Sequence, residues 1–553
     1  MSLALPSAGT VLRKAGDTAL SVNAMVRGGL FNPLRPDHAV RSALNVLKFG
    51  PFAGAVVHAA NTNPKSAAIV DEQGELTFEQ LDQQSNAFAR GLAAQGLGPG
   101  DVIGVLARDH RGMVLSLVAA GKLGVRAVLM NTGFAKPQFT DVAARENVKA
   151  VLHDSEFFDL MSAIPAEIPR ILTWVDEKDD ADPSIPTIES VAAGQSTAAL
   201  TPPEKPGGMV ILTSGTTGTP KGAPRDKVSP FITAQFLDRI PLPRNSTVVM
   251  AAPIFHATGL SQFTLSIALG NRVVFQQRRF DPERTLANIQ KFRAQGLTVV
   301  PTMLQRILDL PEETLAKYNP AETLKVVFAA GSAIPPDVVT RTLDYFGETL
   351  YNVYGSTECA VMTVATPSEL RKAPTTAGKA PVGIRVALYD ENRRRISAPN
   401  VTGTIFIENG HSFKQYTDGR TKEYVDGLMS SGDVGHFDTD GLLFIDGRDD
   451  DMIVSGGENV FPQEVENLLS NRHDILEAAV VGVDDRDFGK RLRAIVVPGP
   501  DSKRDVQEIK DYVKENLARY KVPREVIFVD ELPRNATGKL LRKPLIEMDV
   551  TEN

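Results

Sequence analysis

The stretch that most restricts the fold is the apolar run Met209-Val210-Ile211-Leu212, followed without a break by TSGTTGTPKG, Thr213 to Gly222. A short apolar run bounded by a hydroxyl- and glycine-rich segment reads as a buried strand entering a loop. Gly215 and Gly218 let backbone N–H groups turn together onto an anion, because no Cβ stands in the way. Thr213, Ser214, Thr216, Thr217 and Thr219 add hydroxyl donors, and Lys221 adds a compact positive charge. A flexible linker is the plain alternative, but linkers rarely start at the end of a buried strand or carry Pro220-Lys221-Gly222. Nor is this the common phosphate loop: no hydroxyl follows Lys221, so a metal must be held from elsewhere.

Around this loop the chain alternates strand and helix signals. Strand-like runs at 67–70, 75–77, 101–107, 148–153, 170–175, 246–250, 272–275, 297–300 and 324–328 are separated by helical stretches, the rhythm of parallel α/β layers. Thr77 is the expected N-cap of an alanine- and leucine-rich helix ending near Gly96, and the acidic, proline-rich piece 176–206 is a surface connection. After about Val382 short strands with turn signals (386–389, 402–407, 441–446) form a small β-barrel-like unit. Beyond Arg448 strands at 478–483, 492–497 and 525–528 and helices at 462–469 and 506–519 form a compact module. The expected fold is therefore α/β: an N-terminal extension over 1–60, a large domain of two layered α/β subdomains plus the β-rich unit over 61–449, and a small α+β domain over 450–553.

Charge and cysteine usage narrow the partners. The 60 Lys+Arg and 67 Asp+Glu leave a net charge of -7, with no basic field of the kind that grips nucleic acid. The lone Cys359 excludes an intramolecular disulfide and a cysteine metal cluster, which fits a reducing, cytoplasmic setting. The longest apolar candidate, 113–130, is broken by Lys122 and Arg126, and the N-terminus lacks the layout of a secretory signal, since Pro6 and Gly9 interrupt it and Arg13-Lys14 follow its apolar residues. Residues 1–60 mix apolar runs with Arg13, Lys14, Arg27 and Arg41; they read as helices packed on the main domain, or as a peripheral contact with the inner face of a membrane. A homodimer stays open.

Four further clusters hold residue types that nucleotide chemistry needs. Phe328-Ala-Ala-Gly331-Ser-Ala333 ends a strand in small residues beside which a planar base can lie. Tyr351-Asn-Val-Tyr354-Gly-Ser-Thr357-Glu358 ends another with an aromatic face, a hydroxyl and a carboxylate. Ser431-Gly432-Asp433 places a carboxylate in a turn, and Asn535-Ala-Thr-Gly-Lys539 places a lysine on a glycine turn. Each alone reads equally well as a tight turn, a capped strand or a solvated lysine.

Taken in this order, TSGTTGTPKG, YNVYGSTE, SGDVGHFDTDGLLFIDGRDDDMIVSGGENVFPQEVE and PRNATGKLLRK resemble the adenylate-forming superfamily, bacterial fatty acyl-CoA synthetases in particular, from about residue 60 to 545. That resemblance implies joining of a carboxylate to the α-phosphate of ATP, loss of pyrophosphate, and transfer of the acyl group to coenzyme A. Two anions must be brought together, which calls for cations and oriented donors. By resemblance the opening loop, Thr213 to Gly218 with Lys221, holds the β- and γ-phosphates, Thr357 meets the α-phosphate region and Glu358 helps hold Mg²⁺. Asp433 and Arg448 match the ribose pair, Gly331 and Tyr354 the adenine pocket, and Lys539 the lysine that stabilises the adenylation transition state. Asp450 falls at the hinge about which the small, mobile C-terminal domain rotates, and Gly456 and Gly457 lie in the coenzyme A channel. His256 matches a position beside the acyl carboxylate, with a satisfied core histidine as the plain alternative; Gly331 also borders that pocket. His436, Trp174 and Cys359 are expected to be structural.

The function expected from the sequence is ATP-dependent formation of medium- to long-chain fatty acyl-CoA. The alternatives are an acyl-AMP ligase that loads a carrier protein, and an aryl- or short-chain acid–CoA ligase. Gly259-Leu260, where some long-chain synthetases carry a tryptophan gate, leaves chain length open, while Gly403-Thr404 and 413–416 depart from the family pattern in what reads as scaffold. A catalytically silent scaffold is disfavoured by the joint presence of Lys221, Glu358, Asp433, Arg448 and Lys539.

Overall fold

The computed structural model describes residues 8–548 apart from 177–181, 214–220, 225–231, 277–278, 357, 411–415, 417–418, 420, 449–452, 456–457, 486–488, 501, 518–520 and 535–539. Two sheets with parallel cores carry the N-terminal part. In the larger, Leu350–Tyr354, Val326–Ala330, Gly296–Val299, Thr247–Met250, Arg272–Phe275 and Ala67–Asp71 lie side by side in parallel, with antiparallel Thr363–Ala365 and Gly74–Thr77 at the edges. In the smaller, Arg170–Trp174, Ala150–Asp154, Val102–Leu106, Arg126–Leu129 and Met209–Thr213 are parallel, and Lys221–Pro224 closes it antiparallel. Strands such as Val326–Ala330 and Ala150–Asp154 are buried along their whole length, as parallel strands covered by helices on both faces must be.

Local signals account for the ends of several elements. The Thr77 hydroxyl accepts from the Gln80 N–H at 3.2 Å while the Gln80 amide oxygen accepts from the Thr77 N–H at 2.9 Å, and the helix Phe78–Ala94 follows. The run at 113–130 divides into a helix, Arg111–Leu123, and a strand, Arg126–Leu129, turned by Gly124 at φ +78. No helix among the described residues is long and apolar enough to cross a membrane. The strand expected at 324–328 is Val326–Ala330: an unbroken apolar run does not set its own register, and parallel pairing with Gly296–Val299 and Leu350–Tyr354 does. That offset of two residues brings the strand end to Gly331. The connection at 176–206 holds a short helix, Ile188–Ala192, capped by Thr187.

The β-rich unit is a seven-stranded antiparallel sheet in an open strand order that includes Thr376–Gly378, Leu443–Arg448, Leu428–Phe437, Gly403–Glu408 and Arg385–Tyr389. The C-terminal module pairs Ile475–Asp485 with Gly489–Pro498 and lays Pro462–Ser470 and Val506–Asn516 over a core of Val465, Leu469, Val480, Val496 and Val513. At the N-terminus Pro36 and Pro51 open the helices Pro36–Phe49 and Pro51–Thr62. The second is a core element, with Phe52 stacked on Phe263 at 5.2 Å and Val56 fully buried.

Lys122, the residue that interrupts the apolar run, is buried and donates to the Asp82 carboxylate at 2.7 Å, the Ser85 hydroxyl at 2.8 Å and the Asn86 amide oxygen at 2.7 Å. Burial pulls its ammonium down to about 8, with Asp82 opposing. It ties Arg111–Leu123 to Phe78–Ala94. Replacing Lys122 by Ala should cost about 3 kcal/mol by leaving Asp82 without its cation; urea unfolding of the two proteins measures it, and an unchanged midpoint would refute the role.

Candidate active site

Because the central strands of the larger sheet are parallel, their carboxyl ends emerge along one edge. Thr247–Met250 leads to His256 and the helix Ala257–Ala268, Val326–Ala330 leads to Gly331, and Leu350–Tyr354 leads to Gly355 and Ser356. These residues line one continuous cleft of about 2250 Å³, shared with Ile211 and Leu212 of the smaller sheet, Asp433 and Arg448 of the β-rich sheet, and Glu466 and Arg534 of the C-terminal module.

Each position has a backbone reason. Gly331 sits at φ +110, where a side chain would be strained, and it presents bare backbone to the cleft. At Gly355 a Cβ would stand 1.8 Å from the Ala360 carbonyl oxygen, so the chain can fold back tightly only with glycine there. The Ser356 hydroxyl then accepts from the Cys359 N–H at 3.2 Å and the Ser356 carbonyl accepts from the Ala360 N–H at 2.7 Å. This turn carries Glu358 inward. Its Oε1 accepts from the Tyr416 hydroxyl at 2.5 Å. Burial would raise the Glu358 pKa, but Tyr416, a backbone N–H, the Ser356 hydroxyl and the Lys422 charge outweigh it and hold the carboxyl below its usual range. The site therefore holds an ionised carboxylate.

Asp433 and Arg448 are direct partners across the ladder between Leu428–Phe437 and Leu443–Arg448, with Nη1 3.8 Å from Oδ1. The sequence places Asp433 in a turn; it lies instead within a ten-residue strand, where Gly432 at φ +83 supplies the local irregularity that the turn-like composition signalled. The Tyr354 hydroxyl donates to Asp433 Oδ2 at 2.5 Å. Burial first, and then the Asp433 charge, push the phenol well above its ordinary pKa, so it stays a donor.

His256 precedes the helix Ala257–Ala268, its ring 4.2 Å from that of Phe255. Among the described residues its Nε2 is buried without a hydrogen-bond partner, and burial pushes the imidazole down to about 4, so it is neutral at pH 7. The ring lines the cleft. Gly259 is explained by packing, since a Cβ would stand 2.1 Å from the Pro253 carbonyl oxygen, and Leu260 faces the cleft. Cys359 is buried, and burial pushes its thiol up to about 12, which removes it as a nucleophile. His436 is held by Asp446 at 2.9 Å, and Trp174 packs on His110 at 4.7 Å between ring centres.

The structure thus brings together Gly331, Tyr354, Glu358, Asp433, Arg448 and His256. For the opening loop it gives only the flanks: Thr213 and Lys221 are antiparallel partners, so the chain leaves the loop as an edge strand and not as a helix. Ser214, Gly215, Thr216, Thr217, Gly218, Thr357, Asp450, Gly456, Gly457 and Lys539 lie outside the described residues. Three contributors went unnoticed in the sequence. Tyr416 lies in the stretch that departs from the family pattern, Lys422 donates to the Ser431 carbonyl at 3.2 Å, and Asp109 accepts from the Ile254 N–H at 2.9 Å beside the cleft, its carboxyl pushed by burial up to about 7. None carries a local motif, because each acts through a partner that folding, not a short motif, brings to it.

The AMP-binding enzyme family model matches residues 56–417, and that of the AMP-binding enzyme C-terminal domain matches 464–539. The 2-succinylbenzoate–CoA ligase of Bacillus licheniformis is 31% identical over 88% of this chain and 98% of its own length. The feruloyl-CoA synthase of an Amycolatopsis species is 30% identical over 88% and 96%. Among solved structures, the o-succinylbenzoate CoA synthetase of Bacillus subtilis with its acyl-adenylate intermediate superposes with a TM-score of 0.75 at 25% identity, covering 90% of this chain and 98% of that one.

Two substitutions test the arrangement. Tyr416→Phe removes a donor that keeps Glu358 ionised, so the acidic limb of the pH–rate profile should move to higher pH, with a loss of about tenfold in kcat/KM for ATP; an unmoved limb would refute the coupling. His256 is charged below pH 6.5 only when unfolded, so it costs stability as pH falls from 6.5 toward 4. His256→Gln should flatten that part of the stability profile in thermal unfolding.

Proposed function

This chain belongs to the AMP-binding enzyme family, and we propose that within it the protein activates a hydrophobic, ring-bearing carboxylic acid and transfers it to coenzyme A. It is an AMP-forming acid–thiol ligase. The observation that carries the reading is the cluster Tyr354–Asp433–Arg448 beside Gly331, built on the carboxyl edge of the sheet, in a chain that spans nearly the whole length of ligases acting on succinylbenzoate and ferulate.

In the proposed reaction Asp433 and Arg448 take the ribose hydroxyls, and the base lies along Gly331 and Tyr354. Thr213 to Gly218 with Lys221 grip the β- and γ-phosphates, and Thr357 meets the α-phosphate. A carboxylate oxygen of the acid attacks the α-phosphorus and pyrophosphate leaves; Lys539 follows the charge from the carboxylate to the bridging oxygen. The coenzyme A thiol, losing its proton, then attacks the acyl carbon and AMP departs. Asp450 is the proposed hinge between the two half-reactions, and Gly456-Gly457 the thiol passage. Among the described residues no three metal-ligating side chains cluster, and Glu358, ionised and buried, is the carboxylate suited to Mg²⁺. Glu358 would hold a magnesium ion there, which would supply charge neutralisation for the phosphates.

The acid faces the neutral imidazole of His256 and an apolar chamber of Phe236, Phe255, Leu260 and Leu265. The ring-bearing acids named for the relatives favour an aryl substrate over the fatty acid first expected. One observation keeps the fatty acid as a second reading: the chamber follows the helix Ala257–Ala268 past Ser261, Thr264 and Ala268, about 18 Å at helical rise, long enough for an extended chain.

A panel of aryl and straight-chain acids, assayed for AMP, pyrophosphate and acyl-CoA, tests the reading. Aryl acids should show the higher kcat/KM; turnover of long-chain acids alone would reverse the choice, pyrophosphate without acyl-CoA would point to a carrier protein, and ADP would exclude adenylation altogether. Lys539→Ala should abolish adenylation while sparing coenzyme A transfer from supplied acyl-AMP, and Lys221→Ala should mainly raise KM for ATP; equal failure of both variants in both half-reactions would overturn the division of labour.

A further inference from the structure

The helices Ala8–Arg27 and Pro36–Phe49 precede the family-matched region, and the second has two apolar faces. Its inner face, Ala39, Ser42, Ala43 and Val46, borders the cleft, together with Met25 and Phe31. Its outer face carries Val40 and Leu44, 58% and 44% exposed, with Leu47 at 71% at the rim and Leu34 at 87% just before the helix. Positions 40, 44 and 47 follow the i, i+4, i+7 spacing of a single stripe. A helix of a soluble surface would carry polar residues along that stripe.

Charge says what the stripe meets. Residues 1–60 hold six Lys and Arg against two Asp and Glu, in a chain whose net charge is -7. Arg35 and Arg41 are exposed beside the stripe, and so is Lys48; the acidic residue among them, Asp37, is shared by Arg35 at 3.1 Å, His38 at 3.7 Å and Arg41 at 3.8 Å, so the patch keeps a positive excess. The rest of the molecule is negative. We propose that this face docks on a lipid bilayer bearing anionic headgroups, with Leu34, Val40, Leu44 and Leu47 among the acyl chains and Arg35, Arg41 and Lys48 at the phosphates. The opposite sign of the remaining surface turns it away from the same bilayer, which orients the protein with the inner face of the helix, and the cleft behind it, next to the lipid. A hydrophobic acid dissolved in the membrane would then reach the cleft past Val46 without crossing bulk water. That route rests on the proposed substrate; the docking does not.

Full-length protein, co-sedimented with vesicles of phosphatidylcholine alone or mixed with phosphatidylglycerol, tests this. Binding should be about tenfold tighter on the anionic vesicles and should fall as salt is raised. The pair Val40→Glu and Leu44→Glu should abolish sedimentation, with the unfolding midpoint and AMP release on a water-soluble acid unchanged, since neither residue borders the cleft. Arg35→Gln with Arg41→Gln should remove the preference for anionic vesicles. Failure to bind any vesicle, or binding that survives Val40→Glu and Leu44→Glu, would overturn the proposal. So would a concentration-dependent dimer in sedimentation velocity that the same pair dissolves, because the face would then belong to a second copy. Vesicle binding by a protein that activates no acid would refute the ligase reading and leave the docking intact.

Discussion

Parallel pairing in the larger sheet is the constraint on which everything else depends. Thr247–Met250, Gly296–Val299, Val326–Ala330 and Leu350–Tyr354 point the same way, so the residues that follow each of them must emerge on the same edge. His256, Gly331 and Glu358 are more than 100 residues apart from first to last, yet they meet because of that direction and not because of any local motif. The β-rich sheet adds Asp433 and Arg448 to this edge from a different layer, and the hydrogen bond from Tyr354 to Asp433 joins the two. Had the strands alternated in direction, half of these groups would lie on the far side of the sheet.

Once gathered, the polar groups are set by their immediate neighbours. Burial acts on all of them, but with different outcomes. Glu358 stays ionised because Tyr416 and Ser356 donate to it, whereas Tyr354 is kept protonated by burial and by the charge of Asp433. His256 Nε2 has no partner among the described residues, so burial decides and leaves the ring neutral; Cys359, equally enclosed, remains a thiol. The result is one anion suited to a cation, one fixed hydroxyl donor and one neutral ring facing an apolar chamber. That distribution suits a reaction in which an acid and a triphosphate, both negative, have to be brought together.

The N-terminal helices change the view of that chamber. The family match begins at residue 56, within Pro51–Thr62, whose Phe52 and Val56 belong to the main core. The helix before it serves the cleft on one side and shows apolar side chains to the outside on the other. The cleft wall and the proposed lipid surface are therefore opposite faces of a single 14-residue helix.

Residue patterns alone carried the alternation of strands and helices, the cap at Thr77, the separate C-terminal module and the motif set that names the family, because these depend on contacts within a few residues or on the order of short segments. They went astray where register or distance mattered. An apolar run could not tell that its strand was Val326–Ala330, two residues later than expected, and Ser431-Gly432-Asp433 resembled a turn although the long antiparallel pairing with Leu443–Arg448 makes it strand. Tyr416, Lys422 and Asp109 had no local mark at all, since Tyr416 bonds Glu358, 58 positions away, and Asp109 bonds Ile254, 145 positions away. Chemistry written into consecutive residues was legible from the chain; ionisation, register and the gathering of distant side chains came with packing, because they depend on which surfaces lose water together.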